Sequence, residues 1–176
     1  CLIGIIGGSC FSVNRASVDC DRTSHLPHSH QHQKVLCIPL MHIGSLQLDN
    51  PFILAPLAGY TDLPFRLVCR EAGAGFVVSE MISCHGLVYG QEKTLVMLKS
   101  LPEERPWAIQ LFGNEAEVMG KAAAIVSQHP VDAIDINMGC PAKKVTGGMS
   151  GSALMRDLDH ALRLIEAVAE AVRVPV

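Results

Sequence analysis

A chain of 176 residues that is 49% hydrophobic and 18% charged is long enough to bury a core, which excludes a wholly disordered chain. Its formal net charge of −3 excludes a global nucleic-acid signature, so any RNA partner would have to be met by a local basic patch. No apolar run approaches the ~20 residues that span a bilayer, and the apolar start "CLIGIIGGSCF" lacks the basic segment of a secretory signal, so no membrane association is expected.

The seven cysteines are unevenly placed. Cys1, Cys10, Cys20 and Cys37 fall in the first forty residues, whereas Cys69, Cys84 and Cys140 are scattered through the rest. An odd count without close pairing reads as reduced, intracellular thiols and a cytoplasmic location.

Residues 1–41 show no sustained helical or strand period and read as a disordered leader. Four histidines in "HLPHSHQHQ" (His25, His28, His30 and His32) have some capacity for a transition metal. No carboxylate or cysteine joins them at a familiar ligand spacing, so no metal site is assigned. The chain begins with Cys rather than Met, which points to a fragment or to a translated stretch upstream of the true start.

From His42 the texture changes. "HIGSLQLDN" alternates well enough for a small hairpin or strand, and "FILAP" is a continuous apolar run of the kind found in buried parallel strands. In "TDLPFRLVCREAG" the spacing predicts a helix capped by Thr61, with Pro64 in its first turn and Gly73 as its left-handed stop. Phe65, Val68 and Cys69 would form its core face. "GFVVSEM" reads as a second strand, followed by a helical stretch from about Cys84 to Leu98.

"PWAIQLFG" reads as a third strand. The helix after it has Asn114 and Glu117 in capping positions and Val118, Ala122, Ile125 and Val126 as its apolar stripe. "VDAIDINMG" is a fourth strand. A fourth helix, capped by Asp157, would turn Leu158, Leu162, Ile165, Ala169 and Val172 inward, and "RVPV" reads as the approach to a fifth strand.

Consecutive β-α units mean parallel strands, either in an open doubly wound sheet or in a (β/α)8 barrel. The first strand–helix turn, "APLAGYTD", lacks the glycine fingerprint of a dinucleotide-binding sheet, so the expected fold is a TIM barrel truncated to about its first four β-α units, spanning residues 42–176.

In such a barrel, function collects at the carboxyl ends of the strands. There the chain places Pro56, Leu57 and Ala58, whose small side chains and proline let backbone approach a flat ring; Glu80, a carboxylate able to orient a polar neighbour; and Gln110 and Asn137. Amides donate and accept against a heterocycle, though an amide at a strand end also caps a loop. The fourth strand runs out into "GCPAKK", with Cys140 at a stiff turn before Pro141 and with Lys143 and Lys144 beyond it. A thiol is mostly protonated at neutral pH and so suits a general acid, whereas neighbouring lysines favour thiolate or hold a phosphate. A small buried turn residue and a solvated loop are the plain alternatives for Cys140 and for the two lysines.

"LAPLAGYTDLPFR", "SEM", "QLFG" and "DINMGCPAKKVTGGMSGSALM", in that order at the strand ends, resemble the tRNA-dihydrouridine synthases. The resemblance implies a barrel holding FMN at its carboxyl face, with NADPH as reductant and tRNA as partner. A hydride would pass to C6 of a uracil ring while a cysteine protonates C5. Cys140 matches that cysteine, and Gln110 and the Pro56–Ala58 segment match flavin contacts. Asn137 matches a residue beside flavin and uracil, and Lys143 and Lys144 fall in a loop near the RNA. Glu80 is expected on the substrate side. In complete members a lysine, a histidine and a glycine-rich phosphate grip follow later, and none lies within residues 1–176. Those residues alone are therefore expected to be inactive and prone to self-association. Two other readings are a flavin barrel for a free pyrimidine, like dihydroorotate or dihydropyrimidine dehydrogenases, and an inert gene fragment.

Overall fold

The computed structural model describes residues 3–4 and 41–176. The leader expected over residues 1–41, with its four histidines, otherwise lies outside the described residues. Ile3–Gly4 (β1) is a short strand and Met41 begins another.

Met41–Ile43 (β2) and Leu46–Leu48 (β3) form the hairpin, turning at Gly44, whose φ of +56° suits glycine. The β-α units then follow in order. Ile53–Leu54 (β4) leads to Leu63–Glu71 (α1), and Phe76–Ser83 (β5) to Cys84–Val88 (α2) and Glu92–Val96 (α3). Trp107–Phe112 (β6) leads to Ala116–Val126 (α4), and Ala133–Ile136 (β7) to Lys143–Thr146 (α5) and Leu158–Ala171 (α6). Short 3-10 turns occupy Pro102–Glu104 and Gly151–Arg156.

The sheet order is β1-β4-β5-β6-β7, with β4 to β7 all parallel and β1 antiparallel on the outer edge of β4. Each parallel strand lies beside the next in sequence. A doubly wound sheet would reverse its order at a switch point, and this sheet does not. At the far edge the Ile134 N–H donates to the Pro175 carbonyl at 2.9 Å, so "RVPV" runs alongside β7 without forming a strand.

The sheet is apolar on both faces. Val77, Ile82, Trp107, Ile109, Leu111 and Ile134 pack against the helices, where Leu87, Met119, Ala122, Val126, Leu164 and Val168 meet them. On the other face Ile53, Phe76, Val78, Ala108 and Ala133, near the amino ends of their strands, pack under Leu48 and the rest of the hairpin. Two-sided burial explains why these strands read as unbroken apolar runs.

One irregularity shapes β5. Val78 pairs with Ala108 and Met81 with Gln110, so two residues of β5 oppose one of β6. Ser79 bridges the bulge: its hydroxyl accepts from the Gln110 N–H at 3.0 Å and donates to the Glu80 carbonyl at 2.7 Å.

The helices depart from expectation in their caps and faces. Asp62, not Thr61, caps α1, accepting from the Phe65 N–H at 3.1 Å. Thr61 is buried and bonds back to Leu57 instead. Phe65 and Val68 are exposed and only Cys69 of the expected trio meets the core, because Arg66 takes the inward position. Its guanidinium donates to Glu104 at 2.5 and 3.2 Å, to the Thr61 carbonyl at 3.0 Å and to the Lys99 carbonyl at 3.1 Å. It also lies 4.9 Å from the centre of the Trp107 ring.

The expected helix from Cys84 to Leu98 is broken at Gly90 (φ +66°) into α2 and α3. Helix α4 lacks the expected cap at Asn114; Glu117 instead pairs with Lys121 one turn on, and Met119 and Ala123 join Ala122 and Val126 as the buried stripe. Asp157 does cap α6, accepting from the His160 N–H at 2.9 Å. The buried face of α6 is Ala161, Leu164 and Val168, while Leu158, Leu162 and Ile165 are exposed. This face meets α4, which approaches closely: a Cβ on Gly120 would stand 3.0 Å from the Ala167 carbonyl oxygen.

Candidate active site

Near the strand carboxyl ends the inner face changes from apolar to polar. Beside this polar end, a groove of about 310 Å³ under the hairpin is lined by Met41, Ile43, Phe76 and Ala133 and by Pro56 and Asp135, and its lining does not include Gln110, Asn137 or Cys140. Along β6 the inward series is Ala108 then Gln110; along β7 it is Ala133, Asp135, then Asn137 just past the strand.

These polar side chains bond to one another. Gln110 Nε2 donates to Asp135 Oδ2 at 2.5 Å, and Asn137 Nδ2 donates to Gln110 Oε1 at 2.9 Å. Asn137 Oδ1 accepts the backbone N–H of Cys140 at 3.0 Å. The Asn137 amide thus both caps the turn that carries Cys140 and faces the neighbouring strand. Met81 also sits here, its sulfur 3.9 Å from Asn137 Nδ2, because the bulge brings it level with Gln110.

Cys140 is half-buried in a turn pinned from two sides. Its N–H is held by Asn137, and its carbonyl accepts from the Ser152 N–H at 3.0 Å. Gly151, at φ +59°, lets the chain pass so close that a Cβ there would stand 2.6 Å from the Cys140 carbonyl oxygen. The other two described thiols are of another kind. Cys84 is fully buried beside Met119, and burial pushes its pKa up to about 12; burial raises Cys69 as well. Cys84 is closed off from any ligand, and Cys69 packs on the helix side of the sheet, away from the amides.

The remaining sequence-predicted residues are dispersed around this cluster. Pro56 lines the groove, while Leu57 and Ala58 enter the turn in which the Leu57 carbonyl accepts from Tyr60 and Thr61. Glu80 does not join the amides; its carboxylate accepts the Gly59 N–H and so ties the β4–α1 turn to β5. It borders a separate cleft with Asp62, Arg66 and Lys99. Lys143 and Lys144 are exposed on α5, beyond the Cys140 turn.

Sequence reasoning missed Asp135 and Met81. Asp135 is the more telling omission. Its carboxyl pKa is raised by burial, an effect partly offset by the Gln110 hydrogen bond. The available signal was a carboxylate at an inward position of a strand that is otherwise apolar.

Residues 53–176 match the family model described as dihydrouridine synthase. The chain belongs to the dihydrouridine synthase family. Among its relatives, a "probable tRNA-dihydrouridine synthase" of Rhodobacter capsulatus is 53% identical over 135 residues, covering 76% of this chain and 42% of the relative. One of the same description from Rhizobium leguminosarum bv. phaseoli is 52% identical over 131 residues, covering 74% and 41%. A "tRNA-dihydrouridine synthase B" of Xanthomonas campestris pv. campestris is 46% identical over 136 residues, covering 77% and 41%. The chain therefore spans about two fifths of the length of these dihydrouridine synthase relatives. Among its described residues no helix is long and apolar enough to cross a membrane.

Proposed function

We propose that this chain is the amino-terminal part of the catalytic barrel of a cytoplasmic tRNA-dihydrouridine synthase, which reduces uridine in tRNA to 5,6-dihydrouridine with FMN and NADPH. The observation that carries the reading is the meeting of Gln110, Asn137 and the Cys140 turn at the carboxyl ends of adjacent parallel strands. Sequential strand order and the Pro175 carbonyl beside β7 support continuation into a closed (β/α)8 barrel.

The donor set fits the ring side of a flavin. Gln110 Nε2 spends one N–H on Asp135 and retains a second, Asn137 Nδ2 divides its two between Gln110 and the weakly accepting Met81 sulfur, and Pro56 lines the neighbouring groove. Pro56, Leu57, Ala58, Gln110 and Asn137 are assigned to this contact. FMN held by these residues and reduced by NADPH would supply hydride chemistry toward C6 of the uracil ring. The Cys140 Sγ–H bond breaks and its proton passes to C5, leaving a thiolate that solvent reprotonates. Asn137 holds the backbone of that acid in place. Exposed Lys143 and Lys144 supply local positive charge for RNA phosphates, which the net charge of the chain does not. Glu80 is assigned to holding the β4–α1 turn at the substrate side.

The test is to incubate the full-length protein with NADPH and unmodified tRNA and to measure dihydrouridine by liquid chromatography of nucleosides. Dihydrouridine and a flavin spectrum are expected. Reduction of free uracil or dihydroorotate chemistry without any action on tRNA would refute the proposal in favour of a free-pyrimidine flavin barrel.

A further inference from the structure

Three hydrogen bonds link Asp135, Gln110, Asn137 and the Cys140 backbone in one line. Each amide can turn over by half a rotation, exchanging its oxygen and nitrogen, so a row of amides has no intrinsic direction. The two ends of this row have one. The Cys140 N–H can only donate, and an ionised carboxylate can only accept. Between them a single arrangement satisfies every contact: Cys140 N–H to Asn137 Oδ1, Asn137 Nδ2 to Gln110 Oε1, and Gln110 Nε2 to Asp135 Oδ2. Reversing Gln110 would set its oxygen against the carboxylate, and reversing Asn137 would set two N–H groups against each other.

We propose that Asp135 is a positioning residue of this site: as the fixed acceptor end of the row, it orients both amides and, through them, holds the Cys140 turn. A consequence concerns the ligand. With the row in this direction the hydrogen left over belongs to Gln110 Nε2, while the second Asn137 N–H faces only the weak acceptor Met81 Sδ at 3.9 Å, so the wall offers donors to a ring presenting carbonyl oxygens or unprotonated nitrogen. A carboxylate on the inner face of a sheet is otherwise unfavourable, and burial pushes the Asp135 carboxyl up. The inference rests on the proposed function only for the identity of that ring.

The test compares Asp135→Asn with Asp135→Leu in the full-length protein, by backbone hydrogen–deuterium exchange at Cys140 and by NMR of the Gln110 and Asn137 side-chain amides. Asparagine keeps shape and, with the row still fixed by the Cys140 N–H at its far end, can turn its oxygen to Gln110 Nε2, whereas leucine keeps bulk and loses the acceptor. In Asp135→Leu, exchange at the Cys140 N–H rises about tenfold, as expected for loss of a hydrogen bond at one end of a coupled row, and the two side-chain amides lose their distinct shifts. In Asp135→Asn, exchange stays within about twofold of the original protein. A merely structural role would instead move exchange across the whole sheet, so peptides from α4 and α6 serve as the control. Unchanged Cys140 exchange in Asp135→Leu, or equal disturbance by the two variants, overturns the proposal. The Asn variant also keeps it testable if the Leu variant fails to fold. None of these readouts requires turnover, so a failure here is distinct from a failure to reduce uridine.

Discussion

Replacing Arg66 by methionine tests how α1 is held to the sheet. The perturbation leaves Glu104, which is fully buried, without its partner and strands the Thr61 and Lys99 carbonyls. Two charge-assisted hydrogen bonds to Glu104 are lost, each worth about 1.5–3 kcal/mol. Breaking a buried ion pair from one side costs about 3–5 kcal/mol, so the expected loss is about 4 kcal/mol. At about 2–4 °C per kcal/mol for a domain of this size, the melting temperature falls by roughly 8–16 °C. Methionine still packs on Trp107, so most of the loss is electrostatic. The double variant Arg66→Met with Glu104→Met removes the stranded charge but still leaves the Thr61 and Lys99 carbonyls and the Leu101 N–H without these partners, so it is expected to recover about half of the loss. Urea unfolding of the full-length protein measures all three. A single variant losing less than about 1 kcal/mol, or a double variant no better than the single, would refute the account of the pair.

Under the proposed function, Cys140→Ala in the full-length protein is expected to retain flavin and to slow uridine reduction by roughly 10²–10⁴-fold in single turnover, and an unchanged rate would remove Cys140 as the acid. Asp135 carries a raised pKa, so the folded protein takes up its proton at higher pH than the unfolded chain. The destabilisation from its charge is absent below the ordinary aspartate value of ~3.9 and complete above the folded value. Relative to Asp135→Asn, the original protein should therefore gain stability as pH falls through that window, and a pH-independent difference in urea unfolding would contradict it. Gly151→Ala forces a left-handed backbone on alanine and drives its Cβ against the Cys140 carbonyl, so a loss of about 2 kcal/mol in urea unfolding and slowed turnover are expected; original-like values in both would show that the turn is not constrained. Expressed as residues 1–176 alone, the chain should self-associate through its open inner groove and the exposed Leu158, Leu162 and Ile165, and bind little flavin. A yellow monomer in light scattering would contradict this.

The strands were legible because both sheet faces are covered, which turns them into short apolar runs bounded by proline and glycine. The strand ends drew notice because amides and a cysteine interrupt those runs, and the structure brings Gln110, Asn137 and the Cys140 turn together there. Helix faces were less so. Helix α6 has two apolar stripes, and the larger residues of Leu158, Leu162 and Ile165 dominate any reading of periodicity. Contact with α4 selects the Ala161, Leu164 and Val168 side instead, a choice made between elements and invisible within either. Arg66 was hidden for a similar reason: its partner lies 38 residues away on a turn with no regular period. Thr61 and Asp62 are both good caps, and only backbone geometry separates them. Asp135 passed unnoticed because a single charge in an apolar strand gains meaning only when Gln110 is found opposite it.

The bulge in β5 makes this strand tolerant of shortening in an unusual way. Before it, even-numbered Phe76 and Val78 face the hairpin side and Val77 the helices; after it, Met81 stands level with Gln110 while Ile82 faces the helices. Parity is thus inverted by one surplus residue. Removing Glu80 alone would restore a regular ladder, with every other side chain of β5 keeping its present side. The sheet has no need of that residue. The adjoining turn does, since the Glu80 carboxylate receives the Gly59 N–H, and the strand carries one position for the benefit of the loop beside it.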